Sequence, residues 1–158
     1  MDQVQKYSLL ALRLTLGWMF FYAGITKVLD PAWSAAGYIS SAKTFAGFYN
    51  LLLQPNILPL INFVNEWGLT LLGISLILGI CVRLSSSLGV VLMMLYYLAA
   101  LDFPYPNTHA FIVDEHIIYS AALIYLAVIS AGRSFGVDRY LADLKIWEKF
   151  PRFKNWLI

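Results

Sequence analysis

The chain has 158 residues, 60% of them hydrophobic and 13% charged, with a mean hydropathy of +0.69. Soluble domains carry about 25% charged residues, so this composition excludes an ordinary water-soluble domain. A net charge of +2 excludes nothing, whereas the single cysteine, Cys81, excludes an internal disulfide or a dithiol redox pair within the chain.

A bilayer core takes about 20 apolar residues per helix. Four apolar runs of this order follow one another, at about 7–28, 58–81, 84–101 and 111–131. Prolines lie at or beyond their ends: Pro31 after the first, Pro55 and Pro59 at the start of the second, Pro104 and Pro106 after the third. The first run is longer than a signal-peptide core and lacks a small-residue cleavage site, so it reads as a retained helix. The expected fold is all-α, an integral membrane four-helix bundle forming a single domain over 1–158.

Two further segments read as interfacial helices. In 31–53, Tyr38, Ala42, Phe45, Tyr49 and Leu52 recur at helical spacing, and Asp30-Pro31 suits a helix start. This predicts one or two short helices at the outer interface or over the bundle mouth, against the alternative of a plain loop with interfacial aromatics. The tail over 138–156 mixes Trp147, Phe150, Phe153 and Trp156 with basic residues, a pattern for the lipid surface of an inner leaflet.

Basic residues orient the bundle. Lys6, Arg83, Arg133, Arg139, Lys145, Lys149, Arg152 and Lys154 lie on one side of four spans, and only Lys27 and Lys43 on the other. The positive-inside rule places the first side, with both termini, in the cytoplasm of a cell-membrane protein.

Charged groups within the spans cost about 2.5–3.5 kcal/mol each near the centre, so those retained are the candidate functional residues. Arg13, Gly17, Phe20, Gly24 and Lys27 form one stripe of the first span. Arg13, about two turns inside, suits the bundle interior, and Lys27 either faces a cavity or snorkels. Asn62, Asn65 and Glu66 share a sector of the second span, where Glu66 is expected to pair with Lys27, for chemistry or for packing alone. Glu115, His116, Tyr119 and Ser120 make a polar arc on the fourth, after Asp114, a helix-start carboxylate. Histidine exchanges protons near neutral pH, so His116 is a candidate acid–base group unless it merely packs. Together they predict an outer-half polar cluster, with His116 and Glu66 as catalytic candidates and Arg13, Lys27, Asn62, Asn65, Glu115 and Tyr119 as ligand-binding candidates.

Other chemistries find no support. Haem needs facing axial ligands, and the only histidines, His109 and His116, share one segment. There is no CxxC pair, zinc spacing or phosphate loop, so no metal site is expected. Basic residues form a lipid-facing tail, and no nucleic-acid surface.

RLTLGWMFFYAGITKVLDP (13–31), NEWGLTLLGISLILGICVRLSSSLG (65–89) and VDEHIIYSAALIYLAVISAGRSFGVDRYL (113–141) together resemble the DoxX/DoxD family. The resemblance covers all four spans, and Arg13, Lys27 and Glu66 fall on the family's polar positions. The long first loop and the basic tail match less well. It implies a four-helix membrane fold and, for the DoxD type, a thiosulfate:quinone oxidoreductase subunit working with a companion redox subunit and using quinone. Many DoxX-type members have no settled activity, so fold transfers more firmly than reaction. Two readings follow: a redox subunit binding a quinone or a small anion such as thiosulfate, or a non-enzymatic scaffold, assembly partner or small transport unit, either one able to form a homo-oligomer in membrane lipid.

The basic asymmetry makes a direct prediction. With Cys81 replaced by alanine, a cysteine at position 43 should react with an impermeant maleimide on intact cells, and one at position 83 only after lysis. The reverse pattern would invert the topology.

Overall fold

The structure, a computed structural model, describes residues 1–144 together with Trp147, Trp156 and Leu157. The chain winds into α1 (Gln3–Val28), α2 (Ala36–Ser40), α3 (Ala46–Leu52), α4 (Leu58–Leu78), α5 (Val82–Ala100), α6 (Glu115–Val128), a 3₁₀ turn (Ala131–Arg133) and α7 (Asp138–Leu141). Most of the expected aromatic tail lies outside the described residues.

Local chemistry sets these boundaries. α1 begins before residue 7 because Asp2 and Gln5 form a reciprocal cap: the Asp2 carboxylate accepts from the Gln5 N–H at 2.7 Å, and the Gln5 amide oxygen from the Asp2 N–H at 3.0 Å. α4 carries Pro59 in its first turn and stops at Gly79, whose φ of 69° is the left-handed conformation glycine adopts without strain. α5 therefore starts at Val82 after a tight turn. α6 is shorter than the apolar run 111–131: the chain is not helical over Phe111–Val113, Asp114 caps the helix, and Ser130 turns left-handed at its far side.

Three helices are long and apolar enough to cross a membrane: α1, α4 and α5, with 26, 21 and 19 residues. At 1.5 Å per residue they extend about 39, 31 and 28 Å, while the 14 residues of α6 reach about 21 Å. Exposed Trp18, Tyr22, Phe63, Leu71, Leu88, Val91, Ile118 and Ile124 give the bundle an apolar outer surface, as a lipid-embedded bundle requires.

α1 packs antiparallel along α4, and α5 along α6. The first pair approaches at backbone distance. A Cβ on Gly24 would overlap the Thr70 backbone, and one on Gly73 the Phe21 backbone. Small residues at such crossings let dispersion contacts replace the hydrophobic drive that lipid does not provide. Leu9, Leu16, Phe20, Leu69, Leu72, Leu76, Met93, Leu123 and Leu126 fill the space between the pairs. A second, smaller core of Ala35, Ile39, Tyr49 and Ala99 sits where α2 and α3 fold over the Lys27 end. The segment 31–53 thus forms two short helices and a roof.

Gly73→Ala should lower stability by about 1–3 kcal/mol, since even a methyl group meets backbone there. Gly37→Ala, with open space around it, should stay within about 1 kcal/mol of the parent. Thermal unfolding in detergent checks both, and equal effects would refute the tight crossing.

Candidate functional site

The two ends of the bundle hold different polar constellations. At one end, Arg13 is 1% exposed. Its Nη1 donates to the carbonyls of Ala131 (2.9 Å) and Ser134 (3.0 Å), and its Nη2 to that of Phe135 (2.9 Å). These oxygens face it because the chain breaks from helix at Ser130 and wraps through the 3₁₀ turn. Gly79 and Gly136 leave room for the guanidinium: a Cβ on either would press on Nη1. Nearby, buried Asp138 accepts from the N–H groups of Cys81 (2.6 Å) and Val82 (3.1 Å), capping α5 from a distant segment. Burial pushes this carboxyl up, against the opposing pull of the two N–H groups, Arg13 and Arg133. The cluster binds Arg13 to backbone and lies away from the other candidate residues. The expected ligand residue Arg13 thus lies outside the cavity lining, with Nη1 and Nη2 donating to chain carbonyls and the buried Nε without a hydrogen-bond partner among the described residues.

At the other end, a cavity of about 510 Å³ opens among all the helices that converge there. Lys27 of α1, Asn65 of α4, Tyr96 of α5 and Glu115 and His116 of α6 line it, with Trp33, Tyr38 and Tyr49 contributed by the roof. The walls are otherwise aliphatic, among them Ile61, Val64, Leu92 and Leu95.

The polar groups inside are held in place. Asp114, 5% exposed, accepts the His116 and Ile117 N–H groups with Oδ1 at 3.0 and 3.3 Å, and meets His116 Nδ1 with Oδ2 at 2.7 Å. The helix cap therefore doubles as the orienting partner of the imidazole. A carboxylate there favours the proton on Nδ1 and leaves Nε2 as the group free to exchange one. Tyr96 stands edge-on to the His116 ring, with centroids 5.9 Å apart, and its hydroxyl donates to Asn65 Oδ1. Lys27 donates to the Ala23 carbonyl of its own helix at 2.6 Å, with the ammonium 5.5 Å above the Trp33 ring.

Roof tyrosines tie onto α5. The Tyr38 hydroxyl donates to the Tyr96 carbonyl (2.8 Å) and the Tyr49 hydroxyl to that of Leu95 (2.6 Å). Although Tyr38 is 42% exposed, its hydroxyl points inward. Burial, with Tyr49, Asp114 and Glu115 nearby, pushes it up to about 12, so it remains a neutral donor.

Other expected site residues lie outside the cavity lining. Lys27 and Glu66 form no ion pair, and the half-buried Glu66 side chain has no partner among the described residues. The two sit at matching heights, one turn beyond the Gly24–Thr70 crossing, but Lys27 folds back onto its own helix and Trp33. Asn62 fastens the roof, accepting the Ala35 N–H at 3.0 Å. Tyr119 packs edge-on against Phe20, with centroids 6.2 Å apart. Asp114, Glu115 and His116 offer three ligand atoms within 4.8 Å of one another, but both Asp114 oxygens are engaged in the cap and the imidazole.

The sequence reading placed Tyr38 and Tyr49 over the bundle mouth but did not count them or Trp33 among the ligand-binding residues, and it missed Asp138. For Asp138 a signal existed: α5 opens at Cys81-Val82 with no local capping side chain, so its cap had to come from elsewhere.

The DoxX family model matches residues 8–102, that is 95 of the 158 residues. The chain belongs to the DoxX family. The matched part of this DoxX chain holds Arg13, Lys27, Asn65 and Tyr96, while the Asp114–His116 pair and Asp138 lie beyond it. No match is found among curated proteins or among solved structures.

Arg13→Lys should cost about 3 kcal/mol or more, because one ammonium cannot serve three buried carbonyls. Thermal unfolding in detergent measures it. Stability within 1 kcal/mol of the parent would show that the guanidinium contacts carry no weight.

Proposed function

We propose that this DoxX protein binds a quinone-type ring in the cavity beneath its roof and serves as the quinone-side membrane subunit of a redox system, as in the DoxD type. The observation that carries this reading is the Asp114–His116 pair at the wall of an apolar, aromatic cavity at one end of a membrane bundle. A volume of about 510 Å³ lies in the range of small-ligand pockets, about 300–1,000 Å³. Quinone chemistry asks for apolar walls, a hydrogen-bonding group at a carbonyl and a proton source. The ring surfaces of Trp33, Tyr38 and Tyr96, the Lys27 ammonium and the His116 imidazole supply them.

Reduction of a quinone to a quinol takes two electrons and two protons. The electrons come from a companion subunit. His116, when doubly protonated, gives the proton on Nε2 to one ring oxygen, the Lys27 ammonium gives one to the other, and both groups are re-protonated from the aqueous side, while Asp114 holds the imidazole through Nδ1. Thiosulfate fits this cavity less well: a small dianion would meet one cation, Lys27, with Glu115 beside it and mostly aliphatic walls. Its oxidation is accordingly assigned to the companion.

Added short-chain quinone should raise the unfolding temperature of the purified protein by several degrees, since saturation at 100 times Kd contributes about 2.7 kcal/mol. Thiosulfate should have no such effect. His116→Ala should abolish the quinone shift and leave the ligand-free unfolding temperature nearly unchanged. No shift in the parent, with a large drop in the mutant, would reduce His116 to a packing residue.

A further inference from the structure

The walls of the cavity are unequal. α4 packs chiefly on α1, and α5 chiefly on α6, while α4 and α5 meet over a much smaller surface. Near their connecting turn they are close: Ser75 and Ser85 hydroxyls lie 2.7 Å apart, and Leu72 presses on Gly89. At the roofed end they bound the cavity instead, α4 with Ile61, Val64 and Asn65 and α5 with Leu92, Leu95, Tyr96 and Ala99. Among the described residues, one side-chain hydrogen bond joins the two helices at that level, from the Tyr96 hydroxyl to Asn65.

Two of these wall residues also lie on the outside. Val64 is 50% and Leu95 38% exposed. A side chain that lines a cavity and is open to the surroundings marks an opening. Val64 is six residues into α4 and Leu95 five residues before the end of α5, which puts the opening about 7–9 Å below the helix ends. That depth belongs to hydrocarbon, and the rim is aliphatic. The openings nearer the roof are edged differently, by Ser34, Tyr38 and Glu115.

We propose that the cavity opens sideways into the bilayer between α4 and α5, and that its ligand is a lipid-dissolved quinone whose hydrocarbon tail leaves past Val64 and Leu95. This rests on the quinone reading above and names the class within it. A tail running into lipid needs no groove of its own, because acyl chains solvate it. The polar rim at the roof would force the same tail among a carboxylate, hydroxyls and water. The Tyr96–Asn65 bond crosses the opening as a bar, and Asn65 must yield it for a ring to pass.

The test compares two quinones with one ring, without a side chain and with a decyl chain, on the full protein in detergent. The parent should bind both. Val64→Trp/Leu95→Trp fills the opening and touches neither Lys27 nor His116. Because both positions are also cavity wall, the comparison is between the two ligands: the decyl form should lose about tenfold more affinity than the bare ring does, through overpacking of the passage, and bare-ring binding that remains measurable reports a folded cavity. Undiminished decyl binding would overturn the sideways opening while the quinone reading stands. Failure of the parent to bind either ring would overturn both. As a measure independent of folding of the variant, a decyl quinone carrying a mid-chain diazirine should photolabel the parent in α4 and α5 around Val64 and Leu95. Labelling confined to the roof would likewise overturn the opening.

Discussion

A buried guanidinium organises this bundle. Arg13 stands well inside an apolar helix, where an unpaired charge is not sustainable, and the chain answers with three carbonyls from the segment that follows α6. Those carbonyls are available because α6 ends early and breaks into a 3₁₀ turn. The same wrap delivers Asp138 to the start of α5, which lacks a cap of its own. One cation thereby dictates where the last long helix stops, how the next segment folds back and how α5 begins. With that end fixed, differences in helix length and direction accumulate at the opposite end, where the helices part around the cavity.

This division matters for function. The Arg13 end is polar but closed: Nη1 and Nη2 of Arg13 and both Asp138 oxygens have partners within the chain, the buried Arg13 Nε and Ser86 hydroxyl have none among the described residues, and the glycines beside the guanidinium leave space only for what is already there. The Lys27 end has polar groups oriented rather than consumed. The His116 imidazole is fixed through one nitrogen, and Lys27 makes a single hydrogen bond. Ligand chemistry needs groups of the second kind, which keep their geometry without a guest and retain capacity for one.

Much of this was legible in the residues. Hydropathy gave the long helices, and the period of aromatics in 31–53 gave the roof. Depth along the helices grouped Lys27, Asn62, Asn65, Glu66, Glu115 and His116, and of these Lys27, Asn65, Glu115 and His116 line the cavity. What depth cannot supply is the direction of a flexible side chain. Lys27 and Glu66 share a height, but the lysine stem is long enough to curl onto Ala23 and Trp33. Arg13 was conspicuous as an expensive residue, yet its partners are backbone carbonyls, which have no signature in residue identity. Their position depends on a helix ending at Val128, within an apolar run that itself continues to Ala131. Tyr96 carries no charge to mark it, and only its hydroxyl, facing Asn65, distinguishes it from phenylalanine.

The roof is fastened to both helix pairs at once: to α4 where Asn62 accepts the Ala35 N–H, and to α5 through Tyr38, Tyr49 and the Lys43–Asp102 ion pair. It is therefore a cross-brace. Any spreading of α4 from α5 on the lipid side must strain or release ties on the water side, and any partner that seizes the roof from outside pulls on the same two helices. The two surfaces of the protein, one facing the bilayer and one facing the solvent, are mechanically a single element.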